Sequence, residues 1–250
     1  MGDTPIIRQY PIPKSAKRLS LLSDYSELRA HRSYRQSKAG NHNAAFKMLM
    51  ELVGDQLIDS QGYFPANAVY ASPFAREVAG DNALPIVLAL FCAAVFEGEP
   101  DLTIVQKERV YHTGANPMER LITRPSFVGQ VKSGRNYVLV DDVINMGNTL
   151  AELANYIISG GGDVIGYCVI VDDGRLKTLS PEKKIIDKLS ARFGNEIEEI
   201  FGIRTDCLTA NESQYLLGFR TTDEIRNRCL KAKKEIDLRR ASKKSRESFR

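Results

Sequence analysis

The sequence predicts an α/β protein, a parallel sheet flanked by helices, with helical additions at both its N-terminal and C-terminal ends. Three observations carry this. Short apolar runs of strand length, near 68–71, 102–106, 136–140 and 164–171, alternate with stretches of helical period. Tyr137–Val140 is continuously apolar, the mark of a strand covered on both faces of a parallel sheet. Beyond Pro181 the strand pattern stops and helical spacing takes over. Strands that alternate with helices close into such a sheet through right-handed crossovers.

Taken in order, residues 1–40 are polar, with Pro5, Pro11 and Pro13 early and little periodicity beyond Leu19–Leu28. Ala44, Phe46, Met48, Leu49, Leu52, Val53, Leu57 and Ile58 recur at helical spacing, so Asn43–Ile58 reads as an amphipathic helix. Gly62 and Pro65 break the chain before the short strand Ala68–Ala71. Pro73–Asn82 reads as a loop and Ala83–Phe96 as a buried helix, with Pro85 in the first turn, where its missing N–H costs nothing. Leu102–Gln106 is the second strand, and a charged loop runs from Lys107 to about Phe127. The signature strand 136–140 follows, then the helix Thr149–Ser159, the turn Gly160-Gly161-Gly162 and the strand Val164–Val171. Ser180 opens one C-terminal helix, Thr209 caps a second and Thr222 a third. The last twenty residues read as a frayed helix. The expected divisions are an N-terminal extension or hood (1–65) with one amphipathic helix, a core (66–180), a helical addition (181–230) and a basic tail (231–250).

Composition narrows the function. Cys92, Cys168, Cys207 and Cys229 are far apart and the three histidines are scattered, so a zinc site has no spacing to rest on. The N-terminus lacks the apolar centre of a signal peptide, and no apolar run reaches membrane-spanning length; a reduced, cytoplasmic protein is expected. The net charge of +4 is uneven. Residues 1–40 hold eight Lys/Arg against three acids and residues 231–250 hold nine against three, which leaves the body, 41–230, at −7. Basic ends around an acidic body are solvated arms, with nucleic acid a possible partner. A GxxxxGK[ST] phosphate loop is absent, and Gly160-Gly161-Gly162-Asp163 precedes a strand, so it is a turn and not a dinucleotide fingerprint.

The chemistry concentrates in Val138-Leu139-Val140-Asp141-Asp142-Val143-Ile144-Asn145-Met146-Gly147-Asn148-Thr149. An apolar strand delivers two adjacent carboxylates to its carboxyl end, where open α/β sheets bind ligands. Gly147 permits positive φ and close backbone approach to an anion. Thr149 and the first N–H groups of the next helix then meet the positive end of its dipole, a phosphate cradle. Carboxylates beside such a cradle fit a phosphorylated sugar whose hydroxyls they accept from.

This segment resembles the signature of type I phosphoribosyltransferases, which bind 5-phosphoribosyl-1-pyrophosphate (PRPP). Asp141, Asp142, Val143, Gly147 and Thr149 match in place; Asn145 and Met146 stand where that family has Thr or another small residue. The resemblance covers about residues 66–175. It implies that Asp141 and Asp142 hold the ribose and that Asn145, Met146, Gly147, Asn148 and Thr149 surround the 5-phosphate. It further implies that the loop Ser72–Asn82, with Arg76, takes the pyrophosphate. Lys107 and Arg109, followed by His112, Arg120 and Arg124, resemble a flexible loop whose cations neutralise the leaving group. Mg²⁺ is the implied cofactor, held through PRPP with Asp142 as a possible direct contact, and a homodimer is the implied assembly. The acceptor is a small molecule, nucleobase-like, with nothing in the flanking segments to identify it. Two other readings stand beside transfer: a PRPP-binding regulator with a basic nucleic-acid-contacting tail, and a mobile-element or antiphage effector acting on nucleotides.

Overall fold

In the computed structural model the described residues are 7–74, 82–107 and 115–247, with side chains described through 239. Arg76, Arg109 and His112 therefore lie outside them.

The chain enters the sheet earlier than its pattern predicts. Lys17–Leu22 forms strand β1, followed by short helices α1 (Tyr25–Ala30) and α2 (Tyr34–Lys38). Helix α3 (His42–Asp59) starts at Asn41, whose side chain accepts from the Ala44 N–H, one residue before the periodic stretch. Strand β2 (Val69–Ala71) and helix α4 (Leu84–Val95) lie where expected, with Pro85 in the first turn.

The second strand differs. Glu99–Asp101 forms β3, and Asp101 Oδ1 then accepts from the N–H groups of Thr103 (2.7 Å) and Ile104 (2.9 Å). This Asx turn ends the strand before Leu102 and leaves Val105–Gln106 as β4, a separate ribbon. Pro100 is tolerated because β3 is a sheet edge.

The charged loop also holds a helix, α5 (Pro117–Ile122), set by a full capping box between Asn116 and Glu119. Strand β5 (Phe127–Val128) pairs antiparallel with β4 and closes the loop at its base. Strand β6 runs Asn136–Ile144, helix α6 Asn148–Ser159 and strand β7 Asp163–Asp172.

The five strands are ordered β1-β7-β6-β2-β3, all parallel. Side chains alternate between two cores. Val138, Val140, Cys168 and Ile170 pack on one face with α3 and α4, while Tyr137, Leu139, Tyr167 and Val169 pack on the other with α6.

The C-terminal addition is helical as expected: α7 (Lys183–Phe193), α8 (Glu196–Phe201), α9 (Ala210–Leu216) and α10 (Thr222–Glu247). Its core includes Leu189, Phe193, Ile197, Leu216 and Ile225, and it takes in Met118 and Leu121 of α5. Thr209 and Glu212 form the capping box of α9. The other two starts shift by local chemistry. Ser180 donates to the Ile12 carbonyl (2.8 Å) and Glu182 stands at the start of α7. Thr221, not Thr222, accepts from the Glu224 N–H at 3.3 Å. The chain remains helical through residue 247, so the tail continues α10. No described helix is long and apolar enough to cross a membrane.

One interaction binds the ends together. Arg8, fully buried, pairs with Glu152 of α6 (2.7 Å) and with Glu212 of α9 (2.7 Å). Its neighbouring backbone forms a bridge with Ile203.

Candidate active site

Strand β6 outlasts its apolar stretch and carries both carboxylates into the sheet's carboxyl edge. Asp142 continues the row of Val138 and Val140 toward the α3–α4 face; Asp141 continues that of Tyr137 and Leu139. The Asp142 N–H donates to Asp141 Oδ1 at 2.8 Å. From helix α2, the Lys38 ammonium donates to Asp142 Oδ2 at 2.7 Å, and the Asn82 side chain hydrogen-bonds the same carboxylate.

These contacts split the two acids. Burial pushes the Asp141 carboxyl well above the usual carboxylate range, and the adjacent Asp142 charge pushes it further. Burial acts on Asp142 too, but the Lys38 charge and hydrogen bond outweigh it and hold that group below the ordinary value. The pair is thus electrostatically unequal: Asp142 is ion-paired to Lys38, while the charged form of Asp141 is disfavoured. Behind Lys38, the Tyr34 hydroxyl meets that of Tyr25 at 2.9 Å, and burial pushes Tyr34 up to about 12.

The next turn is built from backbone. Gly147 has φ +78° and precedes α6, which no side chain caps. A Cβ at Gly147 would lie 2.5 Å from Leu179 Cδ2 and 3.4 Å from Thr209 Cγ2, so the turn is pressed against the C-terminal addition. Thr209 Oγ1 also donates to the Met146 carbonyl at 2.6 Å. Met146 itself is buried, which puts the departure from the signature in the packing beneath the loop; Asn145 is exposed. Asn148 is buried and its side chain donates to the Arg120 carbonyl at 3.1 Å, so at that position the helix start offers its backbone. Thr149 is half-buried.

The predicted cations separate. Lys107 is exposed at the end of the β4–β5 ribbon, its N–H bonded to the Ser126 carbonyl at 2.9 Å. Arg124 turns inward, to Glu152 (2.6 Å) and the Phe201 carbonyl (2.8 Å), and joins the Arg8 network. Arg120 lies on α5, where burial lowers its pKa and the Tyr25 hydroxyl is within electrostatic reach. Sequence reasoning missed Lys38 and Tyr34, since a lysine in a polar stretch carries no local signal of a partner 104 residues away.

Among the described residues no three His, Cys, Asp or Glu side chains gather as metal ligands. The donors present are the paired carboxylates, and Mg²⁺ is commonly bound by one or two carboxylates plus substrate phosphate oxygens, so these residues fit it.

An open parallel sheet that ends in paired carboxylates, a positive-φ glycine and an uncapped helix start defines an α/β protein with polar groups gathered at the carboxyl edge, where open sheets of this class bind ligands. The family model described as phosphoribosyl transferase domain matches residues 74–204, and the chain belongs to that family. Protein TraN of Escherichia coli is 30% identical over 225 residues, covering 85% of this chain and 49% of that protein. A Haemophilus influenzae protein described as uncharacterized is 27% identical over 172 residues, covering 63% of this chain and 38% of its own length. The chain thus spans half or less of the curated relatives it matches. A crystal structure of adenine phosphoribosyltransferase aligns at 16% identity with a TM-score of 0.31, over 51% of this chain and 69% of that one.

Proposed function

We propose that the chain binds PRPP at the carboxyl end of β6 and, with Mg²⁺, transfers its phosphoribosyl group to a nucleobase-like acceptor, releasing pyrophosphate. The observation that carries this is the paired, electrostatically unequal carboxylates followed at once by the Gly147 turn and the uncapped start of α6. Asp142 accepts from one ribose hydroxyl and Asp141 engages the other. The backbone N–H groups of Gly147, Asn148 and Thr149, with the Asn145 side chain, take the 5-phosphate. Mg²⁺, when bound, screens the charge that builds on the departing pyrophosphate. Arg76, Lys107 and Arg109 add positive charge on that side.

The test is pyrophosphate release from PRPP and Mg²⁺ across a panel of purine and pyrimidine bases. Release with one base supports transfer; PRPP binding without release from any base sinks it. The two acids are expected to differ. Asp142→Asn loses a charge-assisted hydrogen bond to the ribose, a loss of about 10- to 100-fold in PRPP affinity, while Asp141→Asn, at a carboxyl whose charged form burial disfavours, loses several-fold less. Calorimetric titration measures both, and equal losses contradict the assignment.

A second reading has one observation in its favour. Helix α10 is anchored by Ile225, Cys229 and Ala232, while Lys231, Lys233, Lys234 and Arg239 are exposed along it. In that reading the protein is a PRPP-binding regulator, or a mobile-element or antiphage effector, whose basic helix meets nucleic acid. Deleting residues 231–250 then weakens nucleic-acid binding and flattens its salt dependence in a filter or anisotropy titration. An unchanged salt slope removes the basic tail from the contact. A cytoplasmic homodimer is part of the primary reading, and light scattering of the purified chain tests the dimer.

A further inference from the structure

Two consecutive residues of α2, Ser37 and Lys38, hold the start of α4 and the carboxyl end of β6. The Ser37 carbonyl accepts from the Ala83 N–H at 3.0 Å, directly after residues 75–81, and Lys38 pairs with Asp142 at 2.7 Å. Asn82, between these anchors in sequence, reaches the same carboxylate. Helix α2 lies outside the stretch 74–204 that matches the family, so this attachment belongs to the chain's own N-terminal segment.

We propose that Lys38 is a positioning residue of the PRPP site, which holds the Asp142 carboxylate in place as the acceptor for a ribose hydroxyl. The inference rests on the reading of the site given above. Three observations carry it further. A carboxylate has about four acceptor directions on its two oxygens, and Lys38 uses Oδ2, which leaves capacity for the sugar. The Lys38 side chain is 33% exposed against 8% for Asp142, so the ammonium forms the wall between interior and cleft. Two neighbouring carboxylates would repel a polyanionic ligand, and among the described residues Lys38 is the cation paired with them. The other groups facing it are Tyr34 on the same helix, with Tyr25 behind, and Asp141 on the strand.

A positioning role through Asp142 acts on the ribose and not on the pyrophosphate. Binding of PRPP, ribose 5-phosphate and inorganic pyrophosphate, each with Mg²⁺, is therefore measured calorimetrically for the wild type, Lys38→Met and Lys38→Arg. Lys38→Met is expected to weaken the two ribose-bearing ligands roughly 10-fold or more and to leave pyrophosphate within about 2-fold. Lys38→Arg, which keeps the charge and the donor, restores most of the loss. Unchanged PRPP affinity in Lys38→Met overturns the proposal, as does an equal loss for all three ligands or an arginine variant as weak as the methionine one. If Lys38→Met does not fold, Lys38→Gln gives the same comparison of ribose-bearing ligands with pyrophosphate. A wild-type chain that binds no PRPP overturns the reading of the site itself, an outcome distinct from every variant result.

Discussion

Arg8→Ala is expected to lower the unfolding free energy by about 3–5 kcal/mol, the usual cost of removing one partner of a buried ion pair. Arg8 is fully buried, donates to both oxygens of Glu212 at 2.7 and 3.1 Å, and also donates to Glu152 at 2.9 Å and to the Cys207 carbonyl at 3.2 Å. Its loss leaves Glu212, whose side chain is 0% exposed, facing an empty space with no described basic partner in its ion pairs. Glu152 is less affected because Arg124 still reaches it at 2.6 Å. The size of the effect follows from desolvation: the fully buried carboxylate cannot reach water without opening the fold around it. Arg8→Met with Glu212→Gln removes both charges and is expected to recover more than half of the loss. Urea unfolding of the three proteins measures this, and a single variant within about 1 kcal/mol of wild type contradicts it.

Gly147→Val is expected to abolish measurable PRPP binding, a loss of roughly 100-fold or more, as a phosphate loses two or more backbone donors. At φ +78° a β-branched residue costs about 1–3 kcal/mol in backbone strain. Its Cβ also meets Leu179 Cδ2 at 2.5 Å, and that methyl belongs to a buried side chain with Thr209 alongside. Relief of either strain moves the turn away from the helix start. Gly134→Ala is the control, since Gly134 has φ +71° with nothing within 4 Å of the added carbon. It carries the backbone cost alone and is expected to bind PRPP as the wild type does. Calorimetry on both separates the conformational cost from the geometry of the turn; equal binding by the valine variant and wild type rules out Gly147 as part of the cradle.

The parts of the protein legible in its sequence are those whose causes lie close together in the chain. The run from Val138 to Thr149 places strand, acids, glycine and helix start within twelve residues, and each has a local physical reason. The Thr209 cap is legible in the same way, whereas the asparagine, N1 proline and glutamate of Asn116–Glu119 are a local helix signal that the reading of 107–127 as a loop passes over. Strand β1 escapes because Lys17, Arg18 and Ser20 interrupt its leucines; what makes it a strand is pairing with Gly166–Val171, far along the chain. As an edge, it tolerates that polar mixture. The strand at 102–106 was displaced by a single side chain, Asp101, which captures two backbone N–H groups. Lys38 escapes for the same reason as β1, its meaning being set by Asp142 and by nothing beside it. Met146 looks like a defect in the loop as sequence, and in the fold it is an inward anchor whose carbonyl takes the Thr209 hydroxyl.

The burial of Arg8 also sets an order for biosynthesis. Its partner Glu212 lies 204 residues downstream. By residue 180 the chain holds all five strands of the sheet and Glu152, yet not Glu212, the second carboxylate that pairs with the Arg8 guanidinium. Until Glu212 is in place, the Arg8 segment has only Glu152 as an ionic partner. Its docking is therefore governed by a contact of very long sequence separation, of the kind that is slow to form.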